Sequence, residues 1–178
     1  MLANYDYSLK YPEDERYNEL DQDARIWWVY LDEATAFDND MTGELGDSLD
    51  ILLVFAGLFS SVLSTFVVQT AQSLSQDPGQ LSTSGTAFSP SILDLWVNGL
   101  WFTSLTIALS VALFAVLAKQ WLRQHLSIVT GSPRERALIR QFRFDGLEKW
   151  HVQALIGMLP ILLHLSLMLF LAGLVIFL

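Results

Sequence analysis

An all-α membrane protein with three transmembrane helices is the fold class this sequence predicts, with amphipathic cytoplasmic helices before the first span and between the second and third. Three observations carry it. The stretch Leu49–Val68, LDILLVFAGLFSSVLSTFVV, is apolar or small at nearly every position after Asp50 and holds neither Lys nor Arg. At about 1.5 Å per residue it reaches roughly 30 Å, the thickness of a bilayer's hydrocarbon core. Val97–Ala118 and Val152–Leu178 repeat the signal. One such segment can be the buried helix of a soluble core, but three in 178 residues leave too little polar chain to cover them. Finally, charge is segregated: residues 1–50 hold 14 Asp/Glu and 3 Lys/Arg, residues 51–118 hold 2 and none, and residues 119–178 hold 3 and 7.

That segregation lets a chain that is 52% hydrophobic carry a net charge of −9. An acidic chain with one confined basic patch lacks the concentrated positive surface that nucleic acid needs. With no cysteine, disulfides, thiolate chemistry and Cys-based zinc or iron–sulfur sites are excluded. The first residues, MLANYDYSLKYPEDERYNEL, lack the basic-then-apolar pattern of a signal peptide, which makes Leu49–Val68 the first insertion signal.

Residues 1–20, polar, acidic and interrupted by Pro12, predict a disordered arm, and residues 21–178 a transmembrane domain. Over residues 21–41, Ile26, Tyr30, Ala34, Phe37 and Met41 recur at spacings of three and four and predict an amphipathic helix, capped by Asp21 or Asp23. It can lie against headgroups or pack on the protein's own cytoplasmic helices; its acidic residues argue against anionic lipid. Asn39–Gly46, with Gly43 and Gly46, predicts a turn-rich break. Asp47 or Ser48 then caps a first span over residues 48–70, and Asp50 complements its dipole. Ala56, Ser60 and Ser64 lie four apart, a small-residue face that lets helices approach closely in lipid. Gln69–Ser91 predicts a polar loop with a turn at Asp77-Pro78-Gly79, and Ser89-Pro90 opens the second span over residues 92–118. Trp96, Trp101 and Phe102 predict an aromatic rim at headgroup level. Ser104, Ala108 and Ala112 repeat the four-residue spacing and predict an antiparallel contact with the first span. Lys119 and Arg123 form a basic interfacial anchor.

Ser132-Pro133-Arg134-Glu135 is a capping box with proline in the first turn and starts a helix over residues 133–150. Arg134, Arg136, Arg140 and Arg143 make it basic, while Leu138, Phe142 and Leu147 point to an apolar surface: an interfacial cytoplasmic helix. The third span, residues 152–178, runs to the last residue, which predicts a C-terminally incomplete chain. Having fewer small residues, it is expected to pack less closely than the other two.

Little in this pattern carries chemistry. His125 and His151 flank the basic region, where headgroup contact is the plain reading. Asn98 and His164 are the candidate intramembrane polar site, because polar groups inside spans are costly. Ser166, or a hydroxyl on a neighbouring helix, can satisfy His164 without any functional role, and Pro160 leaves a backbone carbonyl unpaired nearby. Asp32-Glu33 are adjacent and so do not share a helix face. Phosphate-binding glycine loops, HExxH, GxSxG and kinase signatures are absent, and no catalytic residue, cofactor or metal set emerges.

The strings LDILLVFAGLFS over Leu49–Ser60, VNGLWFTSLTIALSVALFAVLAKQWLRQH over Val97–His125, GLEKW over Gly146–Trp150 and LPILLHLSLMLFLAGLVIFL at the end together resemble the DUF6535 family, from about Trp27 to Leu178. The resemblance implies an uncharacterised multi-pass transmembrane domain of mushroom-forming and related fungi, with no established activity, cofactor or substrate.

The expected function is a membrane-anchored interaction or scaffold module; the alternative is a small transporter or channel component acting as an oligomer, with Asn98 and His164 lining a path. An enzyme is third. The expected partners are the lipid bilayer and a protein partner or a second copy, with no nucleic acid. Between the second and third spans lie seven basic residues and between the first two none, so the positive-inside bias predicts a cytoplasmic N-terminus. Asp32, Glu33, Asp38 and Asp40 would then share a side with Arg134–Arg143.

Overall fold

The computed structural model describes residues 7–74, 92–127 and 129–178. It holds α1 (Tyr7–Lys10), α2 (Arg25–Leu74), α3 (Ile92–His125), α4 (Pro133–Lys149) and α5 (Val152–Phe177), with no strand among the described residues. Helices α2, α3 and α5 are each long and apolar enough to cross a membrane. Two compact units divide the chain: a first from residues up to Asp47 with Lys119–Ala154, and a second from Ser48–Ala118 with Leu155–Leu178.

In the first unit the arm is folded from Tyr7 on, in contrast to the disorder expected of it; residues 1–6 lie outside the described residues. Tyr7 donates to the Glu33 carboxylate, Lys10 Nζ reaches Asp32 Oδ2 at 2.5 Å, and Tyr11 donates to the same oxygen at 2.8 Å. Tyr11 also stacks on Trp28 with ring centroids 6.1 Å apart. Helix α2 begins at Arg25, and Asp14 caps it from the arm: the Arg25 N–H donates to its carboxylate at 3.0 Å. Asp21, one of the two expected caps, instead offers its carbonyl to the Trp27 indole at 2.9 Å.

Asn39–Gly46 is helix, not a break, and Asp47 and Ser48 therefore lie inside α2. Two helical glycines cost roughly 1 kcal/mol each, a weak preference that packing overrides. Ala34, Asp38 and Thr42 are all buried at four-residue spacing, and Thr42 Oγ1 donates to the Asp38 carbonyl at 2.6 Å. The helix also runs on to Leu74, beyond the expected span end; the loop turn at Asp77–Gly79 and the Ser89-Pro90 start lie outside the described residues.

Helix α4 opens on the capping box: Glu135 N–H donates to Ser132 Oγ at 3.4 Å and Ser132 N–H to Glu135 Oε2 at 3.2 Å. Its buried residues are Pro133 and Ala137, with Arg140, Phe144 and Leu147 half-buried beside them. Leu138 and Phe142 are exposed, at 56% and 80%, so α4 packs within its unit through another face than the apolar one expected of it.

In the second unit α3 buries Val97, Trp101, Ser104, Ala108, Val111, Ala115 and Ala118, and α5 buries Ile156, Leu159, Leu163, Ser166, Phe170 and Gly173. Alternating steps of four and three keep a seam on one side of a helix, as in a coiled coil. The expected faces used steps of four throughout, and each such step turns about 40° past a full circle. Ala56, Ser60, Ser104 and Ala108 accordingly lie buried, while Ser64 and Ala112 drift to half-buried positions.

The third span packs closely, against expectation. Ser104 Oγ donates to the Ser166 carbonyl at 2.6 Å, and Ser166 Oγ to the Ser104 carbonyl at 2.7 Å. A Cβ on Gly173 would sit 2.5 Å from Trp101 Nε1, so only glycine admits the indole there. Trp101 is fully buried and donates to the Phe170 carbonyl at 3.2 Å, which removes it from the expected aromatic rim; Trp96 and Phe102 remain exposed. Phe66 and Phe170 complete an aromatic cluster around it.

Candidate functional site

The first unit holds a buried polar centre that sequence reasoning did not assemble. Asp38 sits in the Ala34–Asp38–Thr42 stripe of α2, with its side chain 8% exposed. From α4, Arg140 Nε and Nη2 donate to its two oxygens at 2.9 and 2.5 Å. Arg140 Nη1 donates to Tyr30 Oη at 3.0 Å, Tyr30 donates to Gln141 at 2.6 Å, and the guanidinium lies 4.7 Å from the Phe144 ring centroid. Hydrogen bonding to Asp38, assisted by Tyr30 and opposed by burial, holds the Arg140 guanidinium above its ordinary pKa. A planar fork meeting a carboxylate bidentately is the geometry in which arginine outperforms lysine.

Helix α3 brings the third member. His125, expected at headgroups, has a side chain only 3% exposed, with Nε2 3.5 Å from Asp38 Oδ2 and no hydrogen-bond partner. Arg143 fastens the end of the same helix, donating to the His125 carbonyl at 3.4 Å and the Ser127 carbonyl at 3.0 Å. One signal pointed to this centre: Asp38 falls four residues from Ala34, inside the apolar stripe. The partner residues are 87 and 102 positions away (38 to 125 and 38 to 140), beyond the reach of any local pattern.

The remaining candidates are dispersed. Of the four carboxylates expected opposite the arginines, Asp38 alone meets one; Asp32 and Glu33 hold the arm, and Asp40 is exposed. Arg134 lies over the Trp27 ring at 6.0 Å, Arg136 and Lys119 are half-buried, and Arg123 is exposed. In the second unit, Asn98 Oδ1 accepts from Thr70 Oγ1 at 3.2 Å. His164 bonds neither Ser166 nor another helix. Its Nδ1 lies 2.6 Å from the Pro160 carbonyl one turn back, and its exposed ring lines a groove of about 250 Å³ with Ile51, Leu52, Phe55, Leu163 and Leu167. Asn98 and His164 are thus engaged separately. No group of three His, Asp or Glu that could hold a metal occurs among the described residues.

The model of a family of unknown function, DUF6535, matches residues 27–178. The chain belongs to DUF6535. The match takes in both units, from Trp27 beside the arm to the end of α5, and so includes Asp38, His125, Arg140 and the Ser104–Ser166 contact of this DUF6535 chain. No curated protein and no solved structure matches it.

Proposed function

We propose that this DUF6535 chain is a membrane-anchored interaction or scaffold module. One observation carries the reading: apart from the buried Ser60 Oγ, the serine and threonine hydroxyls of residues 60–70, α3 and α5 bind one another, Asn98 or their own backbones. Ser104 pairs with Ser166, Thr70 with Asn98, Ser64 with the Ser60 carbonyl and His164 with the Pro160 carbonyl. Groups used this way stiffen a bundle, whereas a solute path needs them turned toward a shared lumen. The folded first unit, built around Asp38 and Arg140, would be the part that meets partners, held on the cytoplasmic side with the N-terminus by the positive-inside bias. The runner-up is a transporter or channel component, favoured by the exposed His164 ring. Purified protein in sealed vesicles should pass neither protons nor small solutes, and native membranes should yield a stoichiometric partner. A flux that disappears in His164→Ala would overturn the scaffold reading in favour of transport.

A further inference from the structure

His164 occupies the middle of α5, twelve residues along from Val152 (152 to 164). A carbonyl can only accept, so the short contact with the Pro160 oxygen places a proton on Nδ1, and the apolar interior of a bilayer favours an uncharged ring. Nε2 is then a bare acceptor. It lies exposed in a groove whose other lining residues are Ile51, Leu52, Phe55, Leu163 and Leu167, none with a polar side chain. Hydrocarbon tails carry no donor, and an unmet polar group in lipid is costly. The occupant that fits is a transmembrane helix offering a hydroxyl.

This chain carries such a helix face. Thr103, Thr106 and Ser110 of α3 are exposed at spacings of three and four, each donating to a carbonyl of its own helix four residues back. Turning Thr106 outward leaves the Phe102 carbonyl with its ordinary backbone bond. The levels also agree. Ser104 meets Ser166 and Trp101 meets Phe170, so α3 and α5 run antiparallel, and two residues beyond the serine contact stand Thr106 and His164. Two copies inserted with the same orientation can bring these side chains together without a vertical offset.

We propose that this chain self-associates head to tail in the membrane, the Thr103–Thr106–Ser110 face of one copy seated in the His164 groove of the next, with Thr106 Oγ1 donating to His164 Nε2. A symmetric His164–His164 contact is excluded, because both rings present acceptors. In the head-to-tail arrangement the contact joins two different faces, and repeated it forms a ring or an open array. The inference rests on the scaffold reading and names its partner as a second copy.

The absence of cysteine allows a direct test. A Leu167→Cys copy and a differently tagged Thr103→Cys copy, reconstituted together in phosphatidylcholine vesicles and oxidised, should give a mixed-tag disulfide dimer; Leu167→Cys alone should not. Thr106→Val, on an exposed face that folding does not need, and His164→Leu should each lower the linked fraction about three- to tenfold, and together no further. A wild-type protein that remains monomeric at every protein-to-lipid ratio, or a Leu167→Cys self-dimer, overturns the proposal. The two readings fail separately: absent linking leaves the scaffold reading in place, and a His164-dependent flux removes it while leaving the self-association measured here.

Discussion

Asp38 and Arg140, 102 positions apart, meet through two parallel bonds, and the carboxylate they bury leaves solvent almost completely. The pair joins α2 to α4, with His125 of α3 beside it. Removing one member of a buried pair costs more than the pair contributes, because the other is left charged and unmatched. Arg140→Ala should lower the stability of the first unit by about 3 kcal/mol. Arg140→Lys should recover part of that, since an ammonium keeps the charge and loses the fork. Chemical denaturation in nanodiscs, or protease access to the segment before α4, checks both.

The seam between α3 and α5 should be intolerant of added volume. Ala108 is fully buried, and Ala108→Leu should cost about 1–3 kcal/mol by overpacking. Gly173→Ala should destabilise as well, because its new methyl meets the Trp101 indole. By contrast, Gly57→Ala, with open space around the site, should be neutral or slightly stabilising in a helix. Thermal unfolding of the three variants ranks them; equal behaviour of Gly173→Ala and Gly57→Ala would refute the close contact.

Docking of the arm should depend on pH at both ends of the scale. The Lys10 hydrogen bond, with help from Tyr11 and against desolvation, holds the Asp32 carboxyl below its ordinary pKa. Its contribution is complete above the ordinary carboxylate value and is lost as pH falls through the lowered one. Lys10 is held above its ordinary value chiefly by the Asp32 hydrogen bond, so its contribution is complete below the ordinary lysine value and is lost as pH rises through the raised one. Tyr7, donating to Glu33, is pushed up to about 12. Its contribution is complete below the ordinary tyrosine value near 10 and is lost through about 12. The phenolate absorbance of wild type minus Tyr7→Phe should therefore rise near 12, and in Glu33→Gln it should return to about 10.

Topology can be read with single cysteines. If the seven-to-zero split of basic residues between the two connecting segments sets orientation, a Cys at Ser84 reacts with an impermeant maleimide from the non-cytoplasmic side. A Cys at Ser127 then reacts only after permeabilisation. The opposite pattern inverts the proposed orientation.

Leu49–Val68 and its two counterparts were legible as spanning helices because the property that defines them, an unbroken apolar run of sufficient length, is local. The same holds for the Ser132–Glu135 capping box, whose four residues contain every atom of the motif. Tertiary structure decided what lies beyond one helical turn. It carried α2 through Gly43 and Gly46, since the packing of Ala34 and the bonds made by Asp38 and Thr42 outweigh the modest cost of helical glycine. It folded the arm, whose Tyr7, Lys10 and Tyr11 find partners only on Asp32 and Glu33 of α2. It also moved Trp101 from a membrane rim to the centre of a bundle, because Gly173, 72 positions on (101 to 173), leaves the space an indole fills. Period and composition tell a helix which face is apolar; which neighbour supplies a guanidinium for a buried carboxylate, or a gap for a tryptophan, depends on chain distant in sequence and near in space.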